Sequence, residues 1–88
     1  MFTKDIYDEG LYFAFRATKV PPIEVVSKCR TNRIVKARWL CAKYIREVYG
    51  LSYPKIGRMM DMDHSSIQHG CQKIQDEWER LRETQRMD

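Results

Sequence analysis

This sequence of 88 residues predicts an all-α fold, a five-helix bundle-like domain that contains a helix-turn-helix. Three observations support this prediction: apolar residues recur at steps of three and four, capping residues precede these stretches, and a proline pair and a glycine separate them. The length suits a single domain over residues 1–88, with its core at about 3–81 and a frayed polar end at 82–88.

The first three helices follow from these signals. Thr3 is a suitable N-cap for the first helix, which the proline pair at 21–22 ends, and a short second helix is expected over residues 23–28. The third helix is predicted at about 33–49, where apolar residues form one continuous stripe. Gly50 follows it and is expected in the left-handed conformation that commonly ends a helix.

Two further helices complete the predicted helix-turn-helix. Ser52 is expected to cap the fourth helix and Asp63 the fifth, with a short turn at residues 61–63 between them. The fifth helix is predicted to continue as one helix to Leu81, because the spacings of its buried apolar stripe are four, three, four and three. The stripe consists of Ile67, Cys71, Ile74, Trp78 and Leu81.

Positive charge is concentrated in the middle of the chain. The formal net charge is +4, yet residues 27–58 contain nine basic residues and one acidic residue, whereas the segments on either side are net negative. Binding to a polyanion requires such a concentrated basic face, whereas a merely solvated helix usually carries interspersed acids. The charge pattern therefore favours a nucleic-acid partner.

Other classes of protein are disfavoured. No apolar run approaches the ~20 residues of a membrane-spanning helix, and the N-terminus lacks a signal-peptide pattern, so a cytoplasmic protein is expected. With a nucleic-acid partner, that protein would be nucleoid-associated. No paired carboxylates or Ser-His-Asp set suggests an enzyme, and neither a cofactor nor a small-molecule substrate is expected. His64, His69 and Cys71 are a poor zinc set, because Cys71 faces the predicted core and His69 faces away.

The polar face of the fifth helix carries the predicted recognition residues. With 100° between successive residues, the face opposite the apolar stripe bears Ser65, Gln68, His69 and Gln72. Glutamine can pair with adenine, and serine and histidine can donate to or accept from base edges. The first turn, with His64, is the part of a recognition helix that usually enters the major groove. A solvated polar face would have the same pattern, and the basic segment upstream favours DNA.

Two motifs occur at the predicted turn and on the fifth helix. One is Ser-Tyr-Pro-Lys-Ile-Gly at 52–57; the other is Asp-His-Ser-Ser-Ile at 63–67, followed by His-Gly-Cys-Gln-Lys-Ile at 69–74. They resemble the C-terminal DNA-binding domain of the DnaA family of bacterial chromosomal replication initiators. That family has Ser-Leu-Pro-Glu-Ile-Gly, then Asp-His-Thr-Thr-Val, then His-Ala and a closing Lys-Ile. The resemblance extends over roughly residues 6–77.

The resemblance and the pattern together imply the residues that contact DNA. Base contacts in the major groove are expected for Asp63, His64, Ser65, Ser66, Gln68 and His69. Backbone or minor-groove contacts are expected for Arg30, Asn32, Arg33, Lys36, Arg38, Arg46, Tyr53, Pro54, Lys55, Arg58 and Lys73. A family arginine that enters the minor groove aligns with Asn32, so the neighbouring Arg33 is the better candidate for that role.

The sequence departs from the family pattern at three places. The family's Gly-Gly-Arg before Asp-His is shortened to Asp61-Met62, both threonines are serines, and Lys55 replaces an acid. These changes preserve duplex binding but predict a preferred site that differs from the family's consensus box. The chain also contains no phosphate-binding loop ending in Gly-Lys-Ser/Thr, so ATP-driven origin melting is not expected of these residues.

The sequence thus predicts a double-stranded DNA-binding protein with a sequence preference, active in replication control or transcriptional regulation and encoded by a bacterium, phage or plasmid. The alternative is a protein-interaction module, whose partner would bind the acidic, tryptophan-containing stretch at 76–83 of the C-terminal helix. A DNA-binding protein requires an exposed basic face between Arg30 and Arg58, whereas a protein-binding module should expose an apolar patch near Trp39 or Trp78.

Overall fold

The computed structural model of the protein describes residues 3–27 and 30–86. Within these residues the chain is helical and contains no strand, which confirms the all-α prediction. The helices are α1 (Thr3–Thr18), α2 (Pro22–Val25), α3 (Asn32–Tyr49), α4 (Tyr53–Met60), α5 (His64–Lys73) and α6 (Gln75–Arg86).

Helix α3 lies at the centre of the bundle and packs against all five other helices. Its Leu40 and Ile45 side chains have no exposed surface, and Ile56 of α4 and Ile67 of α5 are similarly buried. Complete burial of one such side chain contributes ~1.5–3 kcal/mol to the free energy of unfolding. This core holds the α4–α5 pair against α3, and it thereby fixes the direction in which the exposed face of α5 points.

The predicted fifth helix is divided in two, so the described residues form six helices rather than five. The division is at Ile74, where φ is −92° and ψ is 2°, and the N–H group of this residue approaches the carbonyl oxygens of both Gly70 and Gln72. Helical bonding resumes at once, since the Trp78 N–H donates to the Ile74 carbonyl oxygen at 2.9 Å. Both Ile74 and Trp78 stay buried across the break, and the apolar spacing therefore gave no sign of it.

The predicted helix ends around the turn are confirmed. The Ser52 hydroxyl accepts a hydrogen bond from the Lys55 N–H at 3.3 Å, and the Asp63 carboxylate accepts one from the Ser65 N–H at 3.0 Å. Gly50 has a φ of 67°, the left-handed conformation expected of it. These caps satisfy backbone groups that the first and last turns of a helix leave without partners.

Other boundaries differ from the sequence prediction by a few residues. The helical assignment of α1 includes Thr3, which was expected to precede the helix, and α3 begins at Asn32 rather than 33. Helix α2 ends at Val25, whereas the prediction extended to Lys28, which lies outside the described residues. Helix α6 is described as far as Arg86, and fraying of residues 82–88 stays a prediction. No helix in the described ranges combines the length and the apolar character needed to cross a membrane.

Candidate nucleic-acid interface

The turn between α4 and α5 is tight because of Gly57. The Met62 N–H donates to the Gly57 carbonyl oxygen at 2.8 Å, and Asp61 ends α4 in the left-handed conformation with a φ of 56°. A Cβ atom at position 57 would overlap the Met62 carbonyl oxygen. Glycine therefore permits the close approach of the two chain segments that sets the angle between α4 and α5.

Helix α5 has one buried and one exposed side. Ile67, Gly70 and Cys71 face the core. Every residue predicted to contact bases is exposed, and this set comprises Asp63, His64, Ser65, Ser66, Gln68 and His69. Within the described part of the chain, the side chains of His64, Ser65, Ser66 and Gln68 form no hydrogen bond to another side chain. Their polar atoms are accessible to a ligand along the length of the helix.

A groove of about 630 Å³ lies between α5 and the segment that joins α2 to α3. Helix α5 contributes Ser65, Ser66 and His69 to its lining, and the joining segment contributes Ser27 and Arg30. Helix α3 contributes Arg38 and Trp39. The groove therefore brings a predicted backbone-binding arginine next to three predicted base-contact residues. A second hollow, lined in part by Pro54, Arg58, Asp63 and His64, lies at the α4–α5 turn.

Two of the predicted phosphate ligands are half-buried and bind the protein's own loops. The Arg38 guanidinium donates to the carbonyl oxygen of Val25 at 2.8 Å and also to that of Ser27. The Arg46 guanidinium donates to the Leu51 carbonyl oxygen at 2.8 Å and lies 4.5 Å from the centre of the Tyr53 ring. These bonds fasten the end of α2 and the α3–α4 connection to α3, so both arginines have a structural role.

Three other predicted DNA ligands lie away from the groove. Asn32, Arg33 and Lys36 border a separate hollow between α1, α3 and α6. The Arg33 guanidinium donates to the Lys19 carbonyl oxygen at 3.2 Å, and the Lys36 ammonium forms an ion pair with Glu77 at 3.1 Å. All three side chains are exposed, but the structure separates them from the residues grouped around α5.

Five predicted backbone ligands remain exposed around α4 and α5. They are Arg30, Pro54, Lys55, Arg58 and Lys73. Tyr53 is half-buried beneath the Arg46 guanidinium. The exposed cations lie at the groove, along α4 and at the C-terminal end of α5, and the exposed Asp61 and Asp63 lie at the turn between these two helices.

Trp39 belongs to the candidate site, although sequence reasoning considered it only as part of a protein-binding patch. Its half-buried indole lines the groove and meets the His69 ring edge-to-face, with 6.1 Å between the ring centres. A signal was present in the sequence, since Gly70 occupies the position where the DnaA family motif has alanine. A smaller residue inside a helix indicates close packing by a neighbour, and here that neighbour is Trp39.

Trp78 does not provide the surface that the protein-interaction alternative requires. Its indole is 6% exposed and packs edge-to-face against Phe13 and Tyr44, with ring-centre distances of 5.4 and 6.4 Å. Among the described residues, the exposed large apolar side chains are those of Tyr12, Phe15, Ile23, Val26 and Val48, and of these Val26 lines the groove together with Trp39. A protein partner on α6 stays a prediction.

Burial raises the pKa of two titratable groups near the site. Desolvation raises the pKa of the Tyr7 phenol, which lines the groove. It also raises the pKa of the Cys71 thiol on the core side of α5, although Lys43 and Arg46 act against this shift. Because a thiol binds metal as the thiolate, burial makes Cys71 a poor ligand. The prediction that His69 and Cys71 face opposite ways is confirmed by their exposure.

The family assignment comes from comparison with known sequences. The family described as bacterial dnaA protein helix-turn-helix matches residues 14–74, which include the whole α3–α4–α5 unit and all of the groove lining except Tyr7. This chain belongs to that family. Membership supports a DNA-binding role for the surface described above.

Relatives within the DnaA family are much longer than this chain. The chromosomal replication initiator protein DnaA of Acinetobacter baylyi is 34% identical over 58 residues, which are 65% of this chain and 12% of that protein. The protein of the same name from Acinetobacter baumannii strain AYE is 35% identical over 57 residues, 64% of this chain and again 12% of the relative. The match thus spans about one eighth of these initiators. No solved structure matches the chain.

Proposed function

We propose that this DnaA-family domain binds double-stranded DNA with a sequence preference and acts on the nucleoid in replication control or transcriptional regulation. One observation carries the proposal: the exposed polar face of α5 and the basic α2–α3 segment line the same groove. A single duplex can then contact α5 in its major groove and Arg30 at the adjacent backbone or minor groove. The relatives are chromosomal replication initiator proteins, which supports a role in replication.

Base recognition is assigned to the N-terminal half of α5. His64, Ser65 and Ser66 are exposed in its first turn, the part of a recognition helix that meets base edges most directly. Asp63 has two carboxylate oxygens, so Oδ2 can cap the helix while Oδ1 accepts from a cytosine amino group. Gln68 and His69 lie further along the same exposed side and extend the contact.

Backbone binding is assigned mainly to the exposed cations around α5. Arg30, Lys55, Arg58 and Lys73 reach solvent without ion pairing among the described residues. Arg30 is better supported than Arg33 as the minor-groove arginine, because Arg30 lines the groove beside α5 and Arg33 donates to Lys19. Arg38 and Arg46 act indirectly by holding the loops that present these cations.

The first experiment separates base contacts from phosphate contacts. A preferred site is selected from a random duplex pool, and binding to it and to a scrambled duplex is titrated over a range of salt concentrations. His64→Ala and Ser65→Ala should each cost ~1–3 kcal/mol on the selected site and little on scrambled DNA. Arg58→Ala should weaken binding to both duplexes and reduce the salt slope by about 0.9.

Two results would contradict this assignment. Binding that does not change with salt would exclude a phosphate-binding surface, since neutralising each phosphate releases condensed counterions. Equal losses on both duplexes for His64→Ala would show that His64 only positions the domain. Gln75→Ala provides a control variant, because Gln75 is on α6 and bonds to Glu79 at 3.0 Å.

A second experiment tests the sequence preference itself. Ser65 and Ser66 occupy the positions of the two family threonines and lack the methyl groups that can pack on thymine. The wild-type domain should therefore bind the family's consensus box weakly, and Ser65→Thr combined with Ser66→Thr should shift the preference towards it. The measurement is a titration of both proteins on the consensus box and on the selected site. Strong, selective binding of the wild type to the consensus box would contradict the expectation.

A further inference from the structure

Trp39 of α3 and His69 of α5 form an aromatic contact across the interface between the two helices. Their ring centres are 6.1 Å apart and their planes are inclined at 82°, an edge-to-face arrangement. His69 is exposed and Trp39 is half-buried, so the contact lies at the mouth of the groove rather than in the core. Such contacts favour one orientation of the two rings over others.

Gly70 is the residue that makes room for the indole. A Cβ atom at position 70 would overlap Cδ1, Nε1 and Cγ of Trp39. Glycine is unfavourable inside a helix compared with alanine, and alanine is what the family motif has at this place. The helix backbone at Gly70 therefore rests directly on the indole, and the spacing between α3 and α5 depends on the Trp39–Gly70 pair.

We propose that Trp39 is a positioning residue for DNA recognition, which sets the spacing of α5 from α3 and holds the His69 ring in the orientation that contacts a base. The inference rests on the proposed function of α5. A side chain must be held within a narrow range of angles to discriminate between bases. An exposed histidine on a helix has free rotamers, and the indole restricts them without using either imidazole nitrogen in a hydrogen bond. Both nitrogens thus stay available to DNA.

A double-mutant cycle tests the coupling between the two rings. The quantity measured is discrimination, the ratio of the dissociation constants for scrambled and selected duplexes. Trp39→Leu and His69→Ala should each lower it roughly tenfold, the size of one lost base contact. The double variant should lose less than the product of the two single losses, because part of the effect of Trp39 acts through His69. Trp39→Phe should retain most of the discrimination, since phenylalanine keeps an aromatic face. Val48→Ala, at an exposed apolar position of α3 outside the groove, is the control.

The Gly70 variants test the spacing. Gly70→Ala should lower both the melting temperature and the discrimination, because the new methyl group collides with the indole. Adding Trp39→Leu should restore part of the melting temperature, since leucine has no Nε1 and its Cδ atoms can rotate away from the new methyl group, but it should not restore the discrimination. The wild type gives a measurement that does not depend on any variant folding: nuclear Overhauser contacts between the Trp39 indole and His69 imidazole protons, with and without DNA.

The outcomes separate this inference from the proposed function. If the wild type fails to bind duplex DNA, both are overturned. If the wild type discriminates between duplexes but Trp39→Leu lowers the ratio by the same factor in the presence and absence of His69, Trp39 is merely structural and the inference alone is overturned. Absence of the indole–imidazole contacts in the wild type would overturn it as well.

Discussion

Helices α3 and α5 both carry the polar residues that the sequence assigned to DNA, yet they use them differently. On α3 the long cationic side chains bind the protein itself: Arg38 binds the end of α2, Arg46 the α3–α4 connection and Lys36 the Glu77 carboxylate. On α5 the short polar side chains of the first turn point into solvent. A basic segment in a sequence is therefore not equivalent to a basic surface.

The difference has a physical cause in the position of each helix. Helix α3 is central and is flanked by two connections whose carbonyl oxygens lack helical partners. A buried carbonyl requires a donor, and a guanidinium offers five of them on a long side chain. Among the described residues, the serine and histidine side chains of α5 form no hydrogen bond to these connections. Arginine thus has a structural use on α3, whereas the proposed DNA contacts fall to the exposed Arg30 and Arg58.

The largest change in the free energy of unfolding is expected for Arg38→Ala, and it should exceed the change for Lys36→Ala. Arg38→Ala should lower the free energy of unfolding by about 1.5–3 kcal/mol, because charged hydrogen bonds to two carbonyl groups are lost from a half-buried site. Lys36→Ala should change it by less than about 1 kcal/mol, since its ion pair with Glu77 is exposed. Urea unfolding measures both values. Equal, small losses would show that Arg38 is a surface cation like Lys36, and the contrast between α3 and α5 would then disappear.

A smaller change in stability is expected at Asp63, the residue that caps the start of α5. Asp63→Ala should lower the free energy of unfolding by about 1 kcal/mol, because the Ser65 N–H loses its cap, whereas Asp63→Asn should be nearly neutral since asparagine caps equally well. If Asp63 also accepts from cytosine, Asp63→Asn should still weaken selected-site binding, because its amide presents a donor as well as an acceptor. Stability and DNA titrations on the same two variants distinguish the roles. An Asp63→Ala variant as stable as the wild type would mean that the Asp63 cap does not stabilise α5.

Much of the fold could be predicted from the sequence because its signals are local. Capping by Ser52 and Asp63 and the left-handed Gly50 depend on neighbouring residues, and each was found where expected. The break at Ile74 could not be predicted, since a turn that keeps the apolar spacing leaves the periodicity unchanged. Helix number was therefore wrong by one while helix type was correct.

In the candidate site, too, the features set by local sequence could be predicted and those set by distant contacts could not. Exposure of the α5 residues followed from helical geometry, which assigns faces by spacing alone. The partners of Arg38 and Arg46 are backbone carbonyls at the end of α2 and in the connections on either side of α3, and charge counting cannot identify such partners. Trp39 was missed for a related reason: its contact with His69 joins positions 30 residues apart, and only the glycine at position 70 hinted at it.

The smallest change in stability is expected for a variant at the C-terminal end of α3, and only at alkaline pH. The Tyr44 and Tyr49 phenols both donate hydrogen bonds to the Glu9 carboxylate of α1. The bond to Glu9, with desolvation and the nearby negative charge, raises the pKa of Tyr49 from 10.0 to about 12. A phenol with a raised pKa in the folded state contributes stability that is complete below pH 10 and declines as the pH rises through 12.

Tyr49→Phe should therefore reduce the loss of stability over that interval, leaving the smaller part due to Tyr44. The measurement is the urea midpoint from pH 8 to 12, with Tyr12→Phe, an exposed phenol of α1, as the control. Duplex binding at neutral pH should be the same for both variants, since neither residue lines the groove. If the urea midpoints of wild type and Tyr49→Phe fall in parallel, the hydrogen bonds to Glu9 do not fasten α3 to α1. The polar contacts that hold α3 to the rest of the protein would then be those of its cationic side chains alone.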